Sequence, residues 1–334
     1  MTTLVAATGN DVVRLTERSG KWSVEQLLAD VGVQCVAVDP HNAQRLYAGT
    51  FDRGLFRSAD GGKTWTQAGD GIPHGRVLSV AVSPSDRTDS SGAVFAGTEP
   101  SSLYRSRDAG ETWEDMPKLR EIPSAPTWSF PPRPWTSHVR WIAPHWNNPN
   151  LIYAGIELGG VMRSTDGGQT WEDRKSGSYH DSHAVLTHPT ALERIYEAAG
   201  GGVALSHDAG ASWSEVDDGM DRHYVWGLAV DPADPDLWYV SATHSARYAH
   251  GDRESAEAYI YRRRGSDPWQ ALSGGLPDPL PVMPYALLVP RDRPNELYAG
   301  FRDGQIWHSG DQGEGWRRLD VELGGLLALV ALPE

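Results

Sequence analysis

Several of the chain's twelve histidines fall where a loop runs into an apolar stretch. His180 and His183 form a His-x-x-His pair, and His138 and His223 stand before similar stretches. Imidazole is a common ligand for zinc, iron and copper. Several imidazoles around an open coordination position suit catalysis. His138, His180, His183 and His223 are therefore expected to hold one divalent transition metal: zinc, iron or copper. Asp181 can act as a further ligand or as the carboxylate that orients an imidazole. Asp52, Glu99, Glu157 and Asp303 sit in neighbouring loops, where a shifted pKa would make an acid or a base. Glu157 and Asp181 are the carboxylates expected to be catalytic. Arg76, Arg140 and Arg222 also stand near strand starts, and their guanidinium forks can clamp a carboxylate. The alternative is that the histidines only hydrogen-bond loops and line a wet channel.

Aromatic residues supply candidate surfaces for a flat ligand. Trp128 and Trp135 lie in a proline-rich insertion, residues 117–137, and Tyr224, Tyr285 and His244 lie in other loops. A second insertion, Thr243–Ala258, carries His244, Arg247, Tyr248, His250, Arg253 and Glu254. Long loops in a compact fold are often functional.

What positions these residues is a repeat. Ser58-Ala59-Asp60-Gly61-Gly62-Lys63-Thr64-Trp65 is its clearest copy. Others run Ser106–Trp113, Ser164–Trp171, Ser206–Trp213 and Ser309–Trp316, with decayed copies at Asp267-Pro268-Trp269 and Ser19-Gly20-Lys21-Trp22. The seven tryptophans are spaced by 43, 48, 58, 42, 56 and 47 residues, the size of a four-stranded propeller blade. Within each copy the aspartate accepts backbone N–H groups in a turn and glycine takes the positive φ. Strand-like runs such as Leu46–Thr50 and Leu55–Arg57 precede the boxes, and apolar runs ending in proline precede those. The N-terminus offers three strands without an inner one, and Leu327–Pro333 is an inner strand without a blade.

The expectation is an all-β fold: a seven-bladed β-propeller of four-stranded antiparallel blades, with strand 326–332 completing the N-terminal blade. The single domain 1–334 divides into blade 1 (326–333 with 1–30), blade 2 (33–71), blade 3 (76–117), blade 4 (137–177), blade 5 (182–219), blade 6 (223–275) and blade 7 (283–322). Counting back from the proline that ends each inner strand makes His138 and His183 equivalent on neighbouring blades, with His180 and His223 sharing another register.

Composition narrows the partners. The net charge of −14 argues against a nucleic-acid or anionic-membrane partner, which would require a basic surface. Cys35, the only cysteine, sits in an apolar run and reads as a buried structural thiol rather than part of a disulfide scaffold. The N-terminus lacks the basic and apolar stretches of a signal peptide, so the expected location is cytoplasmic.

The boxes resemble those of the BNR/Asp-box superfamily, which includes sialidases, oligoxyloglucan-processing glycosidases, sortilin-type receptor domains and the photosystem II assembly factor. The resemblance implies the propeller fold but not one function, because the superfamily contains enzymes and binding proteins. Arg76, Arg140 and Arg222 would resemble the sialidase arginine triad, yet no Phe/Tyr-Arg-Ile-Pro motif occurs. The expected function is a cytosolic enzyme that hydrolyses or eliminates on a small molecule at the channel mouth, through the histidine-rich, metal-assisted site. The alternatives are a non-catalytic propeller binding a protein or ligand on the same face, and a sialidase-like or other glycoside hydrolase.

Overall fold

Short strands alternate with tight turns through the whole sequence, and the computed structural model, which describes residues 2–88, 91–251 and 255–333, gathers them into seven antiparallel sheets. The sheets are the blades of a β-propeller. Six have four strands; that of blade 4 has three, with the bridge Arg163–Glu172 in place of the outermost strand. The inner strands are Val33–Asp39, Arg76–Arg87, Val139–Pro144, Ser182–Thr187, Tyr224–Val230, Pro284–Leu288 and Ala328–Ala331. The last of these pairs with Thr3–Ala7 in the register Leu4–Ala331 to Ala7–Ala328, so the two ends of the described chain share blade 1 and close the ring. Closure gives Thr3–Ala7 a partner on its inner side, which would otherwise be an open edge.

Residue size follows distance from the axis. The second strand of each blade is mostly buried and carries an aromatic or valine at one register position: Val5, Tyr47, Phe95, Tyr153, Tyr196, Tyr239 and Tyr298. Two residues further on, most blades have glycine or alanine, because the next blade's inner strand passes close by. A Cβ on Gly49 would lie 2.4 Å from the Val77 carbonyl oxygen, and one on Gly97 would lie 2.7 Å from Cβ of Val139. In five blades the outermost strand is a two-residue piece with exposed side chains, such as Thr66–Gln67 and Glu114–Asp115, whereas that of blade 1 runs Lys21–Leu28.

The five complete Asp boxes share one pattern of backbone donors, and four of them add a hydroxyl, which Gly315 lacks in the last. Gly62 N–H donates to Ser58 Oγ at 2.8 Å, and Thr64 N–H and Oγ1 donate to the two oxygens of Asp60 at 2.9 and 2.7 Å. Donors of this kind hold the Asp60, Asp108 and Asp208 carboxyls down to about 2. The residue after the aspartate has a positive φ in every box: Gly61, Ala109, Gly167, Ala209 and Gln312. Its carbonyl turns toward the preceding blade and accepts that blade's donors. Tyr47 and Arg57 reach Ala109, Arg105 reaches Gly167, Tyr153 reaches Ala209, and Tyr239 and Arg262 reach Gln312, all between 2.7 and 3.3 Å. Arg14 reaches Gly61 in the same way. Some box tryptophans cross between blades, as Trp113 Nε1 does to Ala68 O at 2.6 Å. Others bond their own box, as Trp65 does to Gly62 O at 3.1 Å.

The insertion 117–137 contains two 3-10 turns, Pro117–Glu121 and Ala125–Thr127. The second insertion holds the five-residue helix Ala246–His250; Arg253 and Glu254 lie outside the described residues. Among the described residues no helix is long and apolar enough to cross a membrane.

Tyr153→Phe removes the one bond that ties the Ala209 carbonyl to blade 4. It should lower the unfolding free energy by about 1 kcal/mol, read from the urea midpoint. An unchanged midpoint would mean that this inter-blade bond contributes nothing.

Candidate functional site

Each inner strand from blade 2 to blade 7 bulges near its start, where the ladder slips by one residue. A bulge re-aims a side chain. The residues that fall in the slip include Gln34, Leu78, Arg140, His183, Trp226 and Tyr285. Four of them meet: the Arg140 guanidinium lies 4.5 Å over the Trp226 ring, and His183 and Tyr285 pack on the same ring at 4.5 and 5.4 Å.

This register corrects the one anchored on prolines. Ala143 pairs with Tyr153 as Leu186 pairs with Tyr196, so Arg140, not His138, is the counterpart of His183. Pro144 follows Ala143 directly, whereas Pro189 comes three residues after Leu186. His138 stands two residues earlier. Because Val139 pairs with Ile156, the next residues out, His138 and Glu157, face one another, and Nε2 of His138 lies 2.9 Å from Glu157 Oε2.

Glu157 has an equivalent in Glu99, four residues beyond the same aromatic position of blade 3. The two buried carboxylates are neutralised differently. Arg133 of the insertion grips both Glu99 oxygens at 2.6 and 2.5 Å, and Arg76 adds a bond at 2.9 Å. Burial opposes ionisation of Glu99, but the Arg133 bonds and the two guanidinium charges hold its pKa below the ordinary value. Burial also opposes ionisation of Glu157. There the His138 hydrogen bond and the neighbouring His138, His183 and Arg140 side chains hold it at about 2. Among the described residues no hydrogen bond ends on Glu157 Oε1.

His183 is completely buried. Its Nδ1 lies 2.6 Å from the Val225 carbonyl oxygen, and its Nε2 has no hydrogen-bond partner and lies 3.5 Å from Asp181 Oδ2. Nδ1 of His138 and Nε of Arg140 are likewise buried without partners. On the far side of Trp226, His250 bridges Tyr224 and Tyr285 through its two nitrogens at 2.8 and 2.5 Å. Burial lowers its pKa to about 4.

The other expected site residues disperse. His180 and His223 are exposed; His223 comes no nearer than 3.9 Å to Asp217 Oδ2, and neither joins His138 and His183. The expected four-histidine metal cluster therefore does not form. Arg222 bonds Asp221 and the Glu257 carbonyl, and Arg76 is spent on Glu99, so neither of them converges with Arg140. Trp128 is buried among Met116, Leu119, Ile122 and Val139, where it anchors the insertion rather than offering a face to a ligand. Trp135 is 80% exposed. His244 faces Glu257 and Tyr248 at the surface. Arg133, Trp226 and His250 belong to the mouth although the sequence did not mark them as site residues. Two surface hollows, about 420 and 330 Å³, hold none of the Glu157 group: one is lined by Arg262 and Glu314, the other by Asp52 and His74.

The blades and their boxes define an Asp-box β-propeller. The BNR/Asp-box repeat matches residues 162–173. The structure resembles the GH74 xyloglucanase from Xanthomonas campestris at TM-score 0.72 and 16% identity, over 97% of this chain and 53% of that one. An ancestral GH74 enzyme matches at TM-score 0.64 and 21% identity, over 90% of this chain and 38% of the other. This chain thus spans less than two thirds of either enzyme. YCF48 bound to D1 peptide matches at TM-score 0.61 and 14% identity, over 96% of this chain and 84% of that one. At these identities the likeness is one of fold. No curated protein matches the chain by sequence.

Beneath the Asp181 loop lies Glu197, fully enclosed, with the Tyr179 N–H on Oε2 at 3.0 Å and no partner for Oε1. Burial pushes its carboxyl up to about 7 from an ordinary 4.5. The folded protein then holds this proton while the unfolded chain has lost it. The stability tied to it is fully present below about pH 4.5 and is lost as pH rises through about 7, at about 1.4 kcal/mol per pH unit. Glu197→Gln should flatten that decline. Melting temperatures of both proteins from about pH 5 to about pH 8 test this, and parallel curves would refute it.

Proposed function

We propose that the protein is a cytosolic enzyme that binds a small polar molecule at the channel mouth and hydrolyses it or eliminates a group from it. The observation that carries this reading is the buried Glu157 carboxylate, bonded by His138 Nε2, with the unpartnered Nε2 of His183 within 4.8 Å and the Arg140 guanidinium charge nearby. Folded proteins satisfy nearly all buried polar atoms, and exceptions gather at working sites. Arg140, stacked on Trp226, would hold an anionic or polarised oxygen of the substrate. Glu157 stays ionised beside it as base or nucleophile, and the half-buried Asp181 can exchange protons with solvent.

Glycoside hydrolysis is one reaction within this range. Oxygens of Glu157 and Asp181 lie within 4.8 Å of each other, near the roughly 5–5.5 Å separation of retaining glycosidases. The likeness to GH74 enzymes supports including it. A sialidase site has no support, because its three arginines would have to come together. A second reading, non-catalytic binding of a protein or peptide, draws on the exposed Trp135 in the proline-rich insertion and on the likeness to YCF48 bound to D1 peptide. The charge of −14 speaks against nucleic acid in either case.

Chromogenic p-nitrophenyl esters, phosphates and glycosides provide the test. Turnover of at least one is expected, falling about 100-fold or more in Glu157→Gln as for loss of a catalytic carboxylate. Full activity in Glu157→Gln, or no turnover of any substrate, would overturn the catalytic reading and leave the binding one.

A further inference from the structure

We infer that Glu157, Asp181 and His183 together form a divalent-metal site, an assignment that rests on the proposed reaction site at the same mouth and differs from a cluster of histidines. One ligand atom of each residue lies within 4.8 Å of those of the other two. The decisive feature is the imidazole. Its Nδ1 faces the Val225 carbonyl oxygen, which can only accept, and its Nε2 is buried without a hydrogen-bond partner. That nitrogen lies 3.5 Å from Asp181 Oδ2. A cation between the three ligand atoms would satisfy the unpartnered nitrogen and both carboxylates together. A carbonyl on the other ring nitrogen is also how metal-binding imidazoles are held in orientation.

The surroundings fit the same role. His138 fixes Glu157 through Oε2 and leaves Oε1 free to ligate. Asp181 sits on the half-exposed side and provides a way in from solvent. Two oxygens and one imidazole suit zinc, iron or manganese, because calcium and magnesium prefer oxygen ligands alone. Three protein ligands leave room for water and a substrate oxygen. Arg140 beside the site adds positive charge that would draw an anionic or polarised substrate to the open position.

Chelator-stripped protein titrated with Zn²⁺ and with Mn²⁺ by calorimetry, with metal content read by mass spectrometry, tests the site. One equivalent of at least one metal is expected, accompanied by a rise in melting temperature. Asp181→Asn and His183→Gln should each weaken binding by at least about tenfold, and His138→Gln should weaken it within the 10–100-fold range of orienting partners. Asp181 is partly exposed, so its variant should still fold, and an unchanged circular dichroism spectrum checks that. The double variant His180→Ala/His223→Ala should bind as the wild type does. Lack of stoichiometric binding, binding that survives Asp181→Asn, or binding lost only in the double variant would overturn the assignment. One equivalent of metal without any turnover would uphold the metal site and remove the catalytic reading. Turnover that persists in metal-free protein would do the reverse.

Discussion

A single backbone carbonyl in each complete Asp box, the one after the aspartate, does much of the work of joining blades. It can face the preceding blade because two successive residues of the turn adopt positive φ, as Ala109 and Gly110 do. Serine and aspartate make that turn possible by absorbing the N–H groups it leaves unpaired. The buried tyrosine or the arginine of the preceding blade then finds its acceptor. The box is therefore a joint, and its aspartates, held ionised by local donors, have no chemistry left over.

The ring sets the inner strands edge to edge around an axis, and their bulges decide what lies at its mouth. The arrangement of charge there is uneven. Glu99 and Glu157 occupy the same place on neighbouring blades, yet two guanidiniums saturate the first and a single imidazole bonds the second. Arg133, which saturates Glu99, comes from the proline-rich insertion, itself pinned by Trp128 in the core of blades 3 and 4. The insertion thus closes one side of the mouth and leaves the Glu157 side as the one with free valence.

Much of this was legible in the residues. Tryptophan spacing and the unmatched strand at each end gave seven blades, because the box is a local motif whose hydrogen bonds all fall within a few residues. Glu157, Asp181, His138, His183 and Arg140 were also recognisable as candidates. Their partnerships were not, because a bulge changes which face a residue takes and leaves no mark in composition. Prolines proved a poor ruler, since Pro144 sits inside its strand whereas Pro189 follows one. The buried aromatic of the second strand is a better ruler: four residues beyond Phe95 and Tyr153 stand Glu99 and Glu157. His180 and His223 looked equivalent to ligands only by distance along the chain, and the loop carries both rings to the surface. Trp128 looked like a ligand platform because aromatic content alone does not separate a buried anchor from an exposed face.

Closure of blade 1 by Ala328–Ala331 has a kinetic consequence. Thr3–Ala7 pairs with a strand that is made more than three hundred residues after it. Contacts of such sequence separation form late and slowly. During synthesis the growing structure is an open arc with a bare strand edge at its beginning, the form most open to pairing with another chain.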